Sequence, residues 1–209
     1  MTSYFDYAIG QIGAVWKMAT NDPRWRDELD YSVDGVFRSF SAANVAVPLA
    51  VALYWLSWRA ADVAVSNAED LGLAASPLLQ GAAIGYIATM VVAYAAEWAA
   101  SLGFLAIAAR GLKAERRIAP AIVGYNWAQP PITLIQAIAM GGVAVSESTQ
   151  IASVLALPAL VLQILILWGV LRRGLDRKVG ETLAVLFGLI FVSIAVTTLV
   201  GAVGAAVAA

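Results

Sequence analysis

The chain contains 209 residues, of which 61% are hydrophobic and only 13% are charged, and its mean hydropathy is +0.79. Soluble domains carry about 25% charged residues, so a chain with half this proportion cannot cover a water-facing surface, and the composition predicts a polytopic membrane protein. The absence of histidine and cysteine excludes imidazole and thiolate metal sites, His-based catalysis and disulfides. The formal net charge of -1 gives no indication of a nucleic-acid partner.

The first 38 residues are predicted to form a cytoplasmic segment ahead of the membrane domain. Their first half has an apolar stripe at helical spacing, which predicts an amphipathic helix. The stripe contains Phe5, Ile9, Ile12 and Trp16. This helix is expected either to lie in the membrane interface, with its aromatic side chains at headgroup depth, or to pack on the protein's own loops. Asp6 and Lys17 interrupt the apolar run, so no cleavable signal peptide is expected.

Five apolar segments are long enough to cross a hydrocarbon core of about 30 Å, which takes about 20 helical residues. They lie at about residues 39–58, within 78–109, at 118–143, at 151–171, and from 183 to near the C-terminus. The sequence therefore predicts an all-α membrane helix bundle of five transmembrane helices over residues 39–209, preceded by the N-terminal interfacial helix.

The basic residues predict the orientation of this bundle. With five spans, 12 of the 13 fall on one side, and only Arg59 falls on the other. The 12 are Lys17, Arg24, Arg26, Arg38, Arg110, Lys113, Arg116, Arg117, Arg172, Arg173, Arg177 and Lys178. By the positive-inside rule, the N-terminus is cytoplasmic and the C-terminus is periplasmic in a bacterial inner membrane.

Glu97 lies inside the second predicted span, 13 positions before Arg110. At 1.5 Å per residue this separation is about 20 Å, so the carboxyl group is expected near the middle of the membrane. An ionised carboxylate is costly there unless it is paired or hydrated. Glu97 is therefore a candidate proton- or cation-handling residue. The alternatives are a position near the outer interface, or a neutral acid hydrogen-bonded between helices.

The third span carries the sequence Tyr125-Asn126-Trp127-Ala128-Gln129-Pro130-Pro131. Proline has no amide hydrogen, so the two prolines free the backbone carbonyls of Asn126 and Trp127. Carriers build solute sites from freed carbonyls and side-chain amides at a broken helix, which makes Asn126 and Gln129 candidate site residues. The alternative is an ordinary proline kink whose freed carbonyls are bonded by neighbouring helices.

Two further amides are predicted at a comparable depth. Asn44 precedes Pro48 by one turn in the first span, and Gln163 stands nine residues, about 13 Å, before Arg172 in the fourth. With Glu97, Asn126 and Gln129 they complete the candidate ligand or proton site. The alternative is that these amides make interhelical contacts, which are worth about 0.6 kcal/mol each.

Two motifs carry a resemblance to known proteins. The segment Ser32-Val-Asp-Gly-Val-Phe-Arg-Ser-Phe-Ser-Ala-Ala, followed by Pro48 and later by Tyr125-Asn126-Trp127, resembles a group of small, uncharacterised alphaproteobacterial membrane proteins. The five-span plan with a cytoplasmic N-terminus is similar in architecture to the Yip family of Rab-interacting, membrane-trafficking proteins. The Asp-Leu-Tyr-Gly-Pro motif of the eukaryotic family is absent from this chain. The resemblance thus implies a topology and no site residues.

These features predict a non-enzymatic inner-membrane protein that acts as an accessory subunit or organising factor of a membrane complex. Its loops are too short for a catalytic domain, and its N-terminal helix and Gly/Ala-rich last span suit contacts with other membrane proteins or with a second copy. The alternative is a small-solute or ion carrier, proton-coupled through Glu97. The partners expected are the lipid bilayer and these membrane proteins. No catalytic residue, metal or cofactor is expected, because a lone carboxylate is a poor hydrolase.

Overall fold

The computed structural model describes residues 3–69, 83–146 and 149–208, and these residues form helices without any strand. The helices are α1 (Tyr4–Thr20), α2 (Trp25–Glu28), α3 (Val33–Ser39), α4 (Ala43–Glu69), α5 (Ala83–Gly111), α6 (Ile118–Ser146), α7 (Thr149–Gly174) and α8 (Val179–Ala208). Short 3₁₀ turns at Phe40–Ala42 and Glu115–Arg117 lead into α4 and α6.

Five helical segments are long and apolar enough to cross a membrane, which confirms the predicted fold class. They are Val33–Ala61, Ala83–Gly111, Glu115–Ser146, Val154–Gly174 and Val179–Ala206. The shortest has 21 residues, which is about 32 Å of helix and matches the hydrocarbon thickness. The protein is therefore a multi-pass membrane protein. The predicted start of the second span, Leu78, lies outside the described residues.

The five spanning helices pack mainly as a closed ring in the order α4, α6, α7, α8, α5 and back to α4. Glycines allow close approach at two of these contacts. A side chain at Gly174 of α7 would come within 2.8 Å of the Ala121 backbone in α6, and one at Gly188 of α8 would collide with the Phe104 ring in α5. The ring therefore has close interfaces on its circumference, and it leaves space at its centre.

Helix α6 continues through Pro130 and Pro131 without interruption. Each proline removes only one N–H donor from the backbone hydrogen bonds of the helix, and the amides on either side of the prolines maintain the helical conformation. The prediction of a helix broken at this depth therefore does not describe the structure, and the proline-containing continuous helix does.

Helix α1 packs across α6 and α7 at one end of the ring. Ala14, Val15 and Met18 on its inner side are buried, and a side chain at Gly169 of α7 would collide with the α1 backbone at Ala19. Helix α1, which belongs to the segment 1–38 predicted ahead of the membrane domain, thus contributes to the core of the bundle.

The predicted apolar stripe of α1 is divided by this packing. Phe5, Ile9 and Trp16 are exposed, with accessible fractions of 71%, 68% and 52%, and Ile12 is half-buried against the core. The inner side of α1 packs on the protein itself, on the spanning helices α6 and α7. An interfacial location for the exposed residues stays a prediction.

Polar contacts hold the segment after α1 against it. The Gln11 amide donates to the Glu28 carbonyl at 3.0 Å and accepts from the Asp30 amide at 3.0 Å. Arg24 bonds the Asp22 carboxylate through its backbone and side chain, and this lowers the pKa of Asp22 to about 2. The Ser32 hydroxyl then caps α3 by accepting from the Gly35 amide at 3.0 Å.

Candidate functional site

A cavity of about 410 Å³ lies at the centre of the ring, and all five spanning helices line it. Its volume falls within the range of about 300–1,000 Å³ that is typical of small-molecule sites. The polar residues in its wall are Tyr54, Tyr94, Glu97, Tyr125, Gln129, Thr133, Gln136, Gln163, Ser193 and Thr197. The rest of the wall is formed by aliphatic side chains and Met90.

The polar side of the cavity formed by α6 follows from helical spacing. Tyr125, Gln129, Thr133 and Gln136 follow one another at intervals of four, four and three residues, so they lie on one face of α6. This face is directed into the ring, where Gln129 and Thr133 are almost fully buried. The α6 face thus supplies amide and hydroxyl groups over about 16 Å of the cavity's length.

Glu97 is half-buried in the α5 wall and is surrounded by hydroxyl groups. The Ser101 hydroxyl, one turn along α5, donates to the Glu97 Oε1 at 3.3 Å. Tyr125 in α6 and Ser193 in α8 line the cavity together with this carboxyl group. Hydroxyl groups from three helices therefore lie in the same part of the bundle as Glu97, and the Ser101 bond helps to hold its carboxyl group at the cavity surface.

Two interhelical hydrogen bonds cross the cavity wall. The Tyr94 and Thr133 hydroxyls are 3.2 Å apart and join α5 to α6. The Gln136 amide donates to the Gln163 Oε1 at 2.8 Å and joins α6 to α7. Each bond leaves further donor or acceptor capacity on its hydroxyls and amides, which a bound solute can use.

The charge that the described residues can give the cavity is that of one carboxyl group. Glu97 is the one carboxylate among the described residues that line it, and no Lys or Arg is found among them. An anion inside would be repelled by an ionised Glu97 and would meet no cation. Among the described residues, no group of three or more acidic side chains could hold a metal ion. The chemistry of the wall therefore suits a proton, a monovalent cation or a neutral polar molecule.

The structure brings three of the five predicted site residues together, namely Glu97, Gln129 and Gln163. Asn44 does not join them: it lies on the outer surface of α4. Asn126 is fully buried beside the cavity, where its side chain is used in the protein's own packing.

Asn126 links three helices. The Trp98 Nε1 in α5 donates to the Asn126 Oδ1 at 2.8 Å, and the Asn126 Nδ2 donates to the Ser39 Oγ at 2.8 Å. Ser39, at the end of α3, donates onward to the Val36 carbonyl at 2.6 Å. Both polar atoms of the Asn126 amide are thus bonded within the protein, which favours a structural role over ligand binding.

Sequence reasoning missed the three cavity tyrosines, Tyr54, Tyr94 and Tyr125, together with Gln136 and Ser193. A signal for some of them is present in the sequence. Tyr94 and Glu97 are three residues apart, and Tyr125 and Gln129 are four apart, so each pair lies on one helix face. Polar side chains repeated at this spacing in an apolar span indicate a face turned toward a cavity.

The chain matches no protein-family model, no curated protein and no solved structure. The resemblance to the alphaproteobacterial group and to the Yip family stays a prediction. The residues around the cavity are consequently the basis for assigning a function to this membrane protein.

Proposed function

We propose that the protein is a carrier for a small cation or neutral polar solute, and that Glu97 gains or loses a proton as the solute binds. The observation that supports this most is the position of Glu97, the one carboxyl group among the described residues on the wall of a cavity that all five spans line. Intramembrane carboxyl groups of this kind are typical of proton and substrate pathways.

The wall offers complementary recognition for such a solute. Tyr94 and Tyr125 stand beside Glu97, and aromatic rings together with a carboxylate attract cations. The amides of Gln129 and Gln136 can orient a polar group by hydrogen bonds. Proton coupling follows because a solute cation and a proton compete for the one negative charge.

We place the protein in a bacterial inner membrane with the end that carries α1 and most of the basic residues in the cytoplasm. This orientation is supported by the sequence asymmetry, with 12 of 13 basic residues on one side of a five-span chain. The proposed function is non-enzymatic, because the described residues of the cavity wall include no second acid beside Glu97 to share acid–base chemistry.

Proton flux in liposomes tests this proposal. The purified protein is reconstituted with a trapped pH-sensitive dye, and gradients of Na⁺, K⁺ and methylammonium are imposed in turn. At least one gradient should drive a pH change in the wild type, and Glu97→Gln should abolish it. Glu115→Gln, which removes an exposed carboxylate before α6, is the control and should retain the flux.

A flux that persists in Glu97→Gln would overturn proton coupling through this residue. A wild type without flux under every gradient would contradict the carrier and favour the second proposal, an accessory subunit or organising factor. That proposal is supported by the exposed Phe5, Ile9 and Trp16 on α1, a helix outside the spans. Its test is purification from the native membrane in mild detergent, followed by mass spectrometry of any stoichiometric membrane partner or second copy.

A further inference from the structure

The two turns that join α5 to α6 and α7 to α8 meet at the same end of the ring and are strongly basic. Over residues 110–117 and 172–181 there are eight basic and three acidic side chains. The basic ones are Arg110, Lys113, Arg116, Arg117, Arg172, Arg173, Arg177 and Lys178. We call this region the basic end.

Contacts between the turns bring four of these cations together. Arg177, in the second turn, donates to the Lys113 carbonyl in the first, and Arg172 donates to the Arg177 carbonyl. Arg117, at the start of α6, pairs with Asp176, with 3.4 Å between the Nη2 and Oδ2 atoms. One backbone carbonyl and one ion pair thus join the two turns, and the Arg172 bond lies within the second turn. Most of the positive charge therefore has no counter-ion among the described residues.

Several guanidinium donors at the basic end are buried and unused. The Nε atoms of Arg117 and Arg177 and the Nη1 of Arg173 have no hydrogen-bond partner within the described chain. A buried, charged N–H group without a partner is unfavourable, and proteins normally bond it to protein, water or ligand. Among the described residues, Asp176 pairs with Arg117 alone of these three arginines, so a water molecule or a bound ligand is required as acceptor for the remaining donors.

We propose that, within the basic end, Arg117 and Arg177 bind the phosphate group of an anionic phospholipid, with Lys113 and Arg172 adding positive charge; Arg116 is exposed and lies outside this site. The planar guanidinium group matches phosphate oxygens and binds them in a bidentate manner. The site lies where the apolar segments Ala83–Gly111 and Val154–Gly174 end, which is the depth of lipid headgroups. Acyl chains can then lie along the exposed apolar surface of the same helices, which a soluble phosphate compound could not use.

Native mass spectrometry of the purified, delipidated protein tests the site with two lipids, phosphatidylglycerol and phosphatidylcholine. The wild type should retain phosphatidylglycerol in preference to phosphatidylcholine. Arg177→Gln and Arg117→Gln should lower the affinity for phosphatidylglycerol about tenfold, as expected for the loss of charge-assisted hydrogen bonds. Arg116→Gln removes the same charge from an exposed side chain of the same turn, and should change the affinity by less than about twofold.

Equal retention of both lipids by the wild type would overturn the proposal. This comparison needs no variant, so the proposal can be refuted even if the variants do not fold. An Arg116→Gln effect as large as that of Arg177→Gln would also overturn it, because it would show a diffuse charge effect. Competition with inorganic phosphate distinguishes a lipid headgroup from a soluble phosphate compound as the ligand. Millimolar phosphate should leave the lipid bound. Complete displacement of the lipid would assign the site to soluble phosphate and refute the lipid.

Discussion

Replacement of Asn126 by alanine should destabilise the protein through the link between α3, α5 and α6. The substitution removes two hydrogen bonds, each of 2.8 Å, from a fully buried amide. Interhelical hydrogen bonds in membranes average about 0.6 kcal/mol and reach about 1.7. The Trp98 N–H is in addition left buried without its acceptor. We therefore expect a loss of about 1–3 kcal/mol in the free energy of unfolding.

The assay is reversible unfolding in mixed detergent micelles, followed by circular dichroism. Asn44→Ala is the matched control, because it removes the same side chain from the exposed surface of α4, and it should lie within about 0.5 kcal/mol of the wild type. Trp98→Phe removes only one of the two bonds and should cost less than Asn126→Ala.

A double-mutant cycle between Trp98→Phe and Asn126→Ala isolates the shared bond. The coupling should be at least about 0.5 kcal/mol, since residues in direct contact are not additive. Strict additivity of the two changes, or an Asn126→Ala protein as stable as Asn44→Ala, would refute the structural role assigned to this amide.

Three further predictions concern the packing of α1, its location relative to the membrane and the orientation of the bundle. Gly169→Leu should displace α1 and speed amide hydrogen exchange of residues 4–20 by about tenfold or more, whereas Gly103→Leu, which faces open space on α5, should not. A spin label on Ile9→Cys should be more accessible to oxygen than to an aqueous nickel reagent, and one on the exposed Gly10→Cys, about 100° around the helix, should show the reverse; equal water access at both would contradict an interfacial α1. Arg116→Cys should react with an impermeant maleimide in inside-out vesicles and not in right-side-out ones.

The spans could be predicted from the sequence because length and apolarity are properties of each segment alone. The interior of the bundle is different, as Asn44 and Asn126 illustrate. Each asparagine stands four residues before a proline in an apolar span, yet Asn44 is exposed and Asn126 is fully buried. Most of their neighbours are apolar, so hydrophobic periodicity alone does not say which face of the helix turns inward.

The same reasoning explains why the sequence draws attention to Glu97 and not to the tyrosines. A carboxylate among apolar residues needs a polar neighbourhood, so its burial beside hydroxyl groups could be anticipated. Tyrosine occurs in protein cores, at the depth of lipid headgroups and in cavities, so its presence in a span does not indicate which of these it occupies. The packing of the five helices is what places Tyr54, Tyr94 and Tyr125 around the central cavity.

The close contact between α1 and Gly169 has a consequence for the order of assembly. Helix α1 is synthesised before the five spans, and the α7 surface against which it packs is made about 150 residues later. At about 5–20 residues per second, the ribosome takes roughly 8–30 s to produce it. During this interval α1 has an uncovered inner side, with Ala14, Val15 and Met18, besides its outer apolar residues. Helix α1 can thus reach its final place only after α7 has been made, although it precedes every span in the chain.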